Sequence, residues 1–427
     1  MGLIKTFINA WKIPEMKKKL LYTLLMLAIF RLGSNIPVPG IDRSILQELF
    51  QSGQGGLFGL FDLFSGGAFS QFTIFALSIS PYITSSIILN LLTIAIPALE
   101  ELAKQGEEGR KKIAQLTRYL TVVLALVQAI GISVGLFRSA LINTDLFSVT
   151  VVVLTLTAGT AFLMWLGEQI TENGIGNGIS LIIFAGIISR LPITVVQTFQ
   201  RLRTGEISIV SVVIFLIIAL AIIVGIIAIQ EGTRKIPVQY AKRVVGRKMY
   251  GGQSTHIPLK VNQTGVIPVI FALSLLQFPL TITYFVPNGK FATFVTEYLS
   301  PYGSAGIWIY SILNILLIIF FTYFYTAVTF NPVEVANNMK ANGGFIPGIR
   351  PGRPTSEYLN KIMTRITLVG AFFLAFIAVL PTIVLQFSNL GFNFGGTSLL
   401  IAVGVALETM KQVESQMMMR NYQGFLK

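Results

Sequence analysis

Few residues in this chain have the types or spacing that chemistry requires. There is no cysteine, which removes thiolate nucleophiles, disulfides and cysteine-based metal sites. The single histidine, His256, lies in the polar stretch Gln253-Ser254-Thr255-His256 and reads as an exposed loop residue rather than a ligand or proton relay. No Gly-Lys-Ser/Thr phosphate loop, paired His/Glu metal motif or nucleophile elbow occurs, so no catalytic residue, metal or cofactor is expected. Energy for any work on a substrate must then come from another protein. What remains is physical rather than reactive: Ile79 with Ile83, Ile179 with Ile183, and single Ile270 and Ile401. The two pairs are spaced i,i+4 and so share a helix face. Such residues ordinarily meet lipid or core, whereas a ring of them around a pore excludes water and ions by dewetting.

The elements that position these residues must lie in a membrane. Apolar residues make up 53% of the 427 and charged residues 12%, where soluble domains carry about 25% charged. A hydrocarbon core of about 30 Å needs about 20 helical residues. Charge-free stretches of that order are 72–99, 119–137, 146–167, 174–189, 207–230, 261–289 and 298–333. After Arg365 no charge appears until Glu408, and the loop 389–396 divides that interval into two spans. The stretch at 174–189 is expected to run past Arg190 into 191–199. The first span has only 20–30 between Lys19 and Arg31, so it is expected to continue towards Ile36, with Arg31 either snorkelling or paired inside the bundle.

The spans total ten, giving an all-α membrane protein. Residues 1–19 form an amphipathic N-terminal segment in which Phe7, Trp11 and Met16 share a face opposite Lys5, Lys12 and Lys19. Residues 20–200 carry spans 1–5, 207–411 carry spans 6–10, and 412–427 form a tail.

Charge sorts the loops. Of 32 Lys and Arg, 25 fall on the face that holds both termini, and only Arg43, Arg138, Arg190, Arg201, Arg203 and Lys290 on the other. The positive-inside rule makes the first face cytoplasmic. Two of its loops, 231–260 and 331–361, exceed what a topology signal needs, which favours docking to a large partner. Secondary transporters and membrane-embedded enzymes would hold ionisable, nucleophilic or metal-binding groups within the spans, and none is evident.

Residues 57–68, Leu-Phe-Gly-Leu-Phe-Asp-Leu-Phe-Ser-Gly-Gly-Ala, are too short to cross yet apolar. A half-helix jointed at Gly66-Gly67 and a buried loop both fit. The strings F-S-G-G-A-F-S, S-P-Y-I-T-S-S-I-I-L, M-W-L-G-E-Q-I-T-E-N-G-I-G-N-G-I-S, Q-S-T-H-I-P-L-K-V-N, F-I-P-G-I-R-P-G and F-G-G-T-S-L-L-I, in this order along the chain, resemble the SecY/Sec61-alpha family of protein-export channels.

That resemblance implies two pseudo-symmetric five-helix halves, an inverted repeat, around a central pore. It implies a passive gated channel in the bacterial plasma membrane that passes unfolded preproteins and releases hydrophobic segments and signal peptides sideways into the lipid bilayer. The implied pore ring is Ile79, Ile83, Ile179, Ile183, Ile270 and Ile401, and the implied plug includes Phe61, Asp62, Leu63, Phe64, Ser65, Gly66 and Gly67. Thr84, Gln128 and Phe278 match the lateral gate formed by spans two, three, seven and eight. Arg243, Arg247, Lys248, Arg350 and Arg353 match the docking loops. The implied partners are the SecE and SecG small subunits, the SecA ATPase and the ribosome.

Overall fold

The computed structural model describes residues 10–42, 44–46, 62, 65–240, 243–245, 248–250, 254–283, 285, 289–299, 306–387 and 396–424. Within these, the chain is a helical bundle with a small sheet at one end. Helix α1 (Pro14–Gly33) opens with proline in its first turn, where the missing N–H costs nothing. Helices α2 (Ser80–Ala95) and α3 (Pro97–Lys104) meet at a 100° bend, because Pro97 holds Ile96 extended. Helix α4 (Glu107–Ile130) continues as π-helix through Leu136. Helices α5 (Leu146–Asn173) and α6 (Gly178–Arg203) form a hairpin, followed by α7 (Ile209–Glu231). After the sheet come α8 (Ile267–Thr283), α9 (Lys290–Tyr298), α10 (Gly306–Thr329), α11 (Pro332–Ala341), α12 (Arg353–Phe387) and α13 (Gly396–Gly424).

Six helical stretches among the described residues are long and apolar enough to cross a membrane, or seven if the bent α2–α3 pair counts as one span. The protein is therefore multi-pass. Helices α1, α8 and α13 lie where further spans were expected, but α8 has only 17 residues, about 26 Å of helix against a core of about 30 Å. Residue 190 lies inside α6, which runs on past it to Arg203 despite Pro192.

Several expectations need revision. The stretch 72–99 is not one helix: residues 66–79 are turns, with positive φ at Phe72 (46°) and Ser78 (51°). Their buried backbone finds partners outside a helix, since Val38 N donates to Phe72 O at 3.1 Å and Ile74 N to Ile36 O at 3.0 Å. Trp11 and Met16 do not share an environment, for Trp11 is exposed while Met16 packs with Ala10, Ile175 and Val413. Residues 412–424 continue helix α13 rather than forming a separate tail.

Both long loops are also ordered rather than plain connections. Strand β1 (Thr233–Tyr240) pairs antiparallel with β4 (Ser254–Lys260) from Thr233↔Lys260 to Gln239↔Ser254. Between them β2 (Arg243–Val245) pairs with β3 (Lys248–Tyr250). Strand β5 (Gly344–Phe345), from the second loop, joins β1 at Gln239↔Phe345. The two loops thus build one sheet, β4-β1-β5, over a core of Ile236, Val238, Leu259, Met339, Ile346 and Leu359. His256 is an exposed strand residue opposite Pro237, not a loop residue.

The α5–α6 hairpin explains the glycines of M-W-L-G-E-Q-I-T-E-N-G-I-G-N-G-I-S. A Cβ at Gly178 would overlap the carbonyl oxygen of Gly167, and a Cβ at Gly167 would strike the Ile179 side chain. The two backbones therefore touch where α6 begins, which fixes the level of Ile179 and Ile183. Substitution Gly178→Ala should destabilise the protein by about 1–3 kcal/mol, read as a lower melting temperature in detergent by intrinsic tryptophan fluorescence.

Candidate functional site

Helix α2 starts at the turn that ends in Ile79, and one turn later presents Ile83. Helix α6 supplies Ile179 and Ile183 from its first two turns, α8 supplies Ile270 from its first turn, and α13 supplies Ile401. Five of the six are buried members of the large apolar core that runs through the bundle, and Ile179 packs against that core. Four separate segments thus contribute them to one core. Ala68, just past the Gly66-Gly67 pair, belongs to the same cluster.

A polar-walled cavity lies at each end of this core. The first, of about 370 Å³, has Ile83, Ile179, Ile183 and Ile270 as its floor and Arg118, Glu168 and Glu172 in its wall. Arg118 Nε donates to Glu168 Oε1 at 2.7 Å, tying α4 to α5. The second, of about 300 Å³, is lined by Arg31, Gly66, Gly67, Arg190, Gln197 and Arg201. Ile183 and Arg190 sit seven residues apart on α6, about 10 Å along the axis. An apolar waist between two polar funnels is a barrier to ions, because a hydrated ion must shed water there and gains no partner.

Of the plug residues, Asp62, Ser65, Gly66 and Gly67 are described, while Phe61, Leu63 and Phe64 lie outside the described residues. Asp62 pairs with Arg190 of α6, and Arg31 Nη1 donates to Gly66 O at 3.1 Å. Arg31 is thus paired inside the bundle rather than snorkelling. The Asp62–Arg190 pair was overlooked in the sequence, although each is a lone charge in an apolar stretch, the usual sign of an intramembrane partner.

Helices α2 and α8 touch along one seam. Thr84 Oγ1 donates to Ser80 O of its own helix at 3.1 Å, so it makes no bond across the seam. The neighbouring Ser85 reaches a different helix, its Oγ donating to Thr117 O of α4 at 2.9 Å. Gln128 is buried and Phe278 is 44% exposed. Gln277 of α8 and Asn314 of α10 each bury a side-chain polar atom that has no hydrogen-bond partner among the described residues. Such atoms cost about 1–3 kcal/mol each in a closed packing, which leaves these helices less firmly held than an apolar interface.

Arg350 follows β5, is exposed, and its carbonyl accepts from Thr355 Oγ1 at 2.8 Å. Arg353 begins α12 and pairs with Glu357 at 3.0 Å while remaining largely in solvent. Arg243 and Lys248 fall on β2 and β3, and Arg247 lies outside the described residues. The exposed Arg350 and Arg353 therefore lie just beyond β5, next to the sheet that the two loops build.

A bundle of apolar helices long enough to cross a membrane, with cavities opening at both ends of its core, is the architecture of a membrane channel. The SecY family model matches residues 73–410. The chain is 49% identical, over the full length of both, to the protein translocase subunit SecY of Halalkalibacterium halodurans. It is 46% identical to that of Escherichia coli, covering 97% of this chain and 94% of the relative. Among solved structures it resembles "The structure of a protein conducting channel" at a TM-score of 0.66 and 22% identity, with 93% of this chain and 92% of that one covered. Sec61 in the canine ribosome-channel complex from the endoplasmic reticulum aligns at a TM-score of 0.61 and 20% identity, covering 93% and 92%. The chain belongs to the SecY family, and its fold is that of the protein-conducting channels.

Opening the implied pore ring chemically should break the seal. Replacing Ile83 and Ile183 with serine should raise resting ion conductance in planar bilayers at least several-fold with normal membrane insertion, and unchanged conductance would remove them from the barrier.

Proposed function

We propose that this chain is the channel-forming subunit of a bacterial protein translocase, passing unfolded preproteins through the isoleucine collar and releasing hydrophobic segments into lipid. The observation that carries this reading is the meeting of Ile79, Ile83, Ile183, Ile270 and Ile401 in one buried cluster between two polar cavities. A collar of aliphatic side chains contacts any passing chain without selecting its sequence, and closes by the same dewetting when the chain has gone.

The ten expected spans correspond in this reading to α1, α2, α4, α5 and α6 in the first half and α7, α8, α10, α12 and α13 in the second, related as an inverted repeat. The lateral gate opens between α2 with α4 and α8 with α10. The bond from Ser85 Oγ to Thr117 O ties α2 to α4 on one side of that seam. Gln277 of α8, on the other side, buries an amide nitrogen with no hydrogen-bond partner among the described residues, which supports a seam that an inserting apolar helix can part. Thr84, Gln128 and Phe278 line it. In this reading the segment 57–68 is the plug, and its described residues Asp62 and Gly66 lie against α6.

The basic face is cytoplasmic, with both termini there, in the plasma membrane. The sheet-based projection docks the energy source, either the SecA ATPase or the ribosome, through Arg243, Arg247, Lys248, Arg350 and Arg353. Arginine forks suit carboxylates and ribosomal phosphates alike. SecE and SecG complete the complex, and the chain itself catalyses no bond change. The solved ribosome-channel complex of Sec61 supports the ribosome among these partners.

Two outcomes test this. A preprotein stalled in transit should crosslink to cysteine placed at Ile83 or Ile270, an experiment that the cysteine-free background makes clean; a stalled chain that reaches neither position rules out the central route. Arg350→Glu should abolish ATP-driven preprotein transport while leaving the protein inserted, and transport at the normal rate would sink the coupling role.

A further inference from the structure

We infer that Arg190 is a positioning residue that latches the channel shut by holding Asp62, an inference resting on the reading of 57–68 as the plug. Asp62 is almost wholly buried, with its side chain 7% exposed against 24% for Arg190. Its carboxylate works in two directions at once. One oxygen accepts from Arg190 Nη2, and the other accepts from the Ser70 backbone N–H at 2.9 Å. The Asp62 carbonyl accepts from Gly67 N at 3.1 Å and from Ser65 Oγ at 3.2 Å. The same residue therefore holds the turn at 65–70 through Ser65, Gly67 and Ser70 and fastens it to α6 through Arg190.

The contact is reinforced next to the ion pair. Arg31 Nη1 and Ser189 Oγ both donate to Gly66 O, at 3.1 and 3.4 Å. Gly66 lies so close to α6 that a Cβ there would come within 2.8 Å of Gly186 Cα, and its φ of +65° also favours glycine. Arg31, Arg190 and Arg201 all line the same cavity, and none of its described lining residues is a carboxylate. Asp62 thus offsets a cluster of like charges at the point where the plug meets the wall. Movement of the plug away from α6 must break a partly buried charge pair and leave two arginines facing each other. A displaced plug would also draw Ala68 out of the collar cluster.

The latch predicts coupling between two residues that a merely local structural role would not produce. Planar-bilayer conductance should be compared for the full-length protein carrying Asp62→Asn, Arg190→Gln, both together, and the exchange Asp62→Arg with Arg190→Asp. Each single substitution should raise ion leak about tenfold, the double should leak no more than either single, and the exchange should recover much of the seal. Deletion of residues 61–67 serves as the reference for the plug itself. Leak from the deletion with silent single substitutions overturns the latch and leaves the plug reading intact. A silent deletion overturns both. Should a single variant fail to insert, the exchange variant decides: recovery of insertion and seal together supports the pair, and a leak equal to the deletion's rejects it.

Discussion

In the proposed channel, six isoleucine side chains carried by four different segments must meet at one level, a constraint on which the rest of that reading depends. The collar works only if its members come from elements that can separate. A single helix could not supply it, and helices packed rigidly along their whole length could not release a chain. The solution is to begin or end regular structure near the collar. Helix α2 starts at Ile79, α8 starts just before Ile270, and α6 starts just before Ile179. Irregular backbone at that depth is tolerable only where its polar groups are satisfied or face a water-filled cavity. The turns at 66–79 meet that demand through Ile36 and Val38, and the α5–α6 turn meets it through threonines. Ile175 N donates to Thr23 Oγ1, and Gly178 N to Thr171 Oγ1, at 3.0 and 2.9 Å.

Where an interaction was periodic or electrostatic on a large scale, the sequence disclosed it. The long apolar stretches, the continuation of α6 past Arg190 and the concentration of charge in two long segments are all readable from residue order. The i,i+4 spacing of Ile83 with Ile79 and of Ile183 with Ile179 marked a shared face. Periodicity is silent about non-helical backbone inside an apolar run, which is why 72–99 reads as one span although it holds a turn region, two helices and a sharp bend. It is equally silent about which of two adjacent hydroxyls points at a neighbour. Thr84 and Ser85 are indistinguishable by composition, yet only Ser85 reaches another helix.

The paired strands were hidden for a related reason. Loops 231–260 and 331–361 carry Gly, Pro and many charges, which reads as irregular projection. The joining of the two loops depends on β5, two residues long and contributed from about a hundred positions away. A strand that short has no local signature, and only the tertiary meeting of Gln239 with Phe345 makes it one.

The sheet gives the projection a mechanical character. Seven residue pairs join β1 to β4, a stiff arm of about 23 Å, and its base is closed where Val261 N donates to Gly232 O at 2.9 Å. One side of that base is the end of α7 and the other leads within a few residues into α8. Gly370 of α12 lies against the backbone of Val261, close enough that a Cβ would sit 2.7 Å from its carbonyl oxygen. The arm is therefore braced against α12 at its base, so that a load on its far end would be carried to α12 and, through residues 261–266, to the helix that holds Ile270.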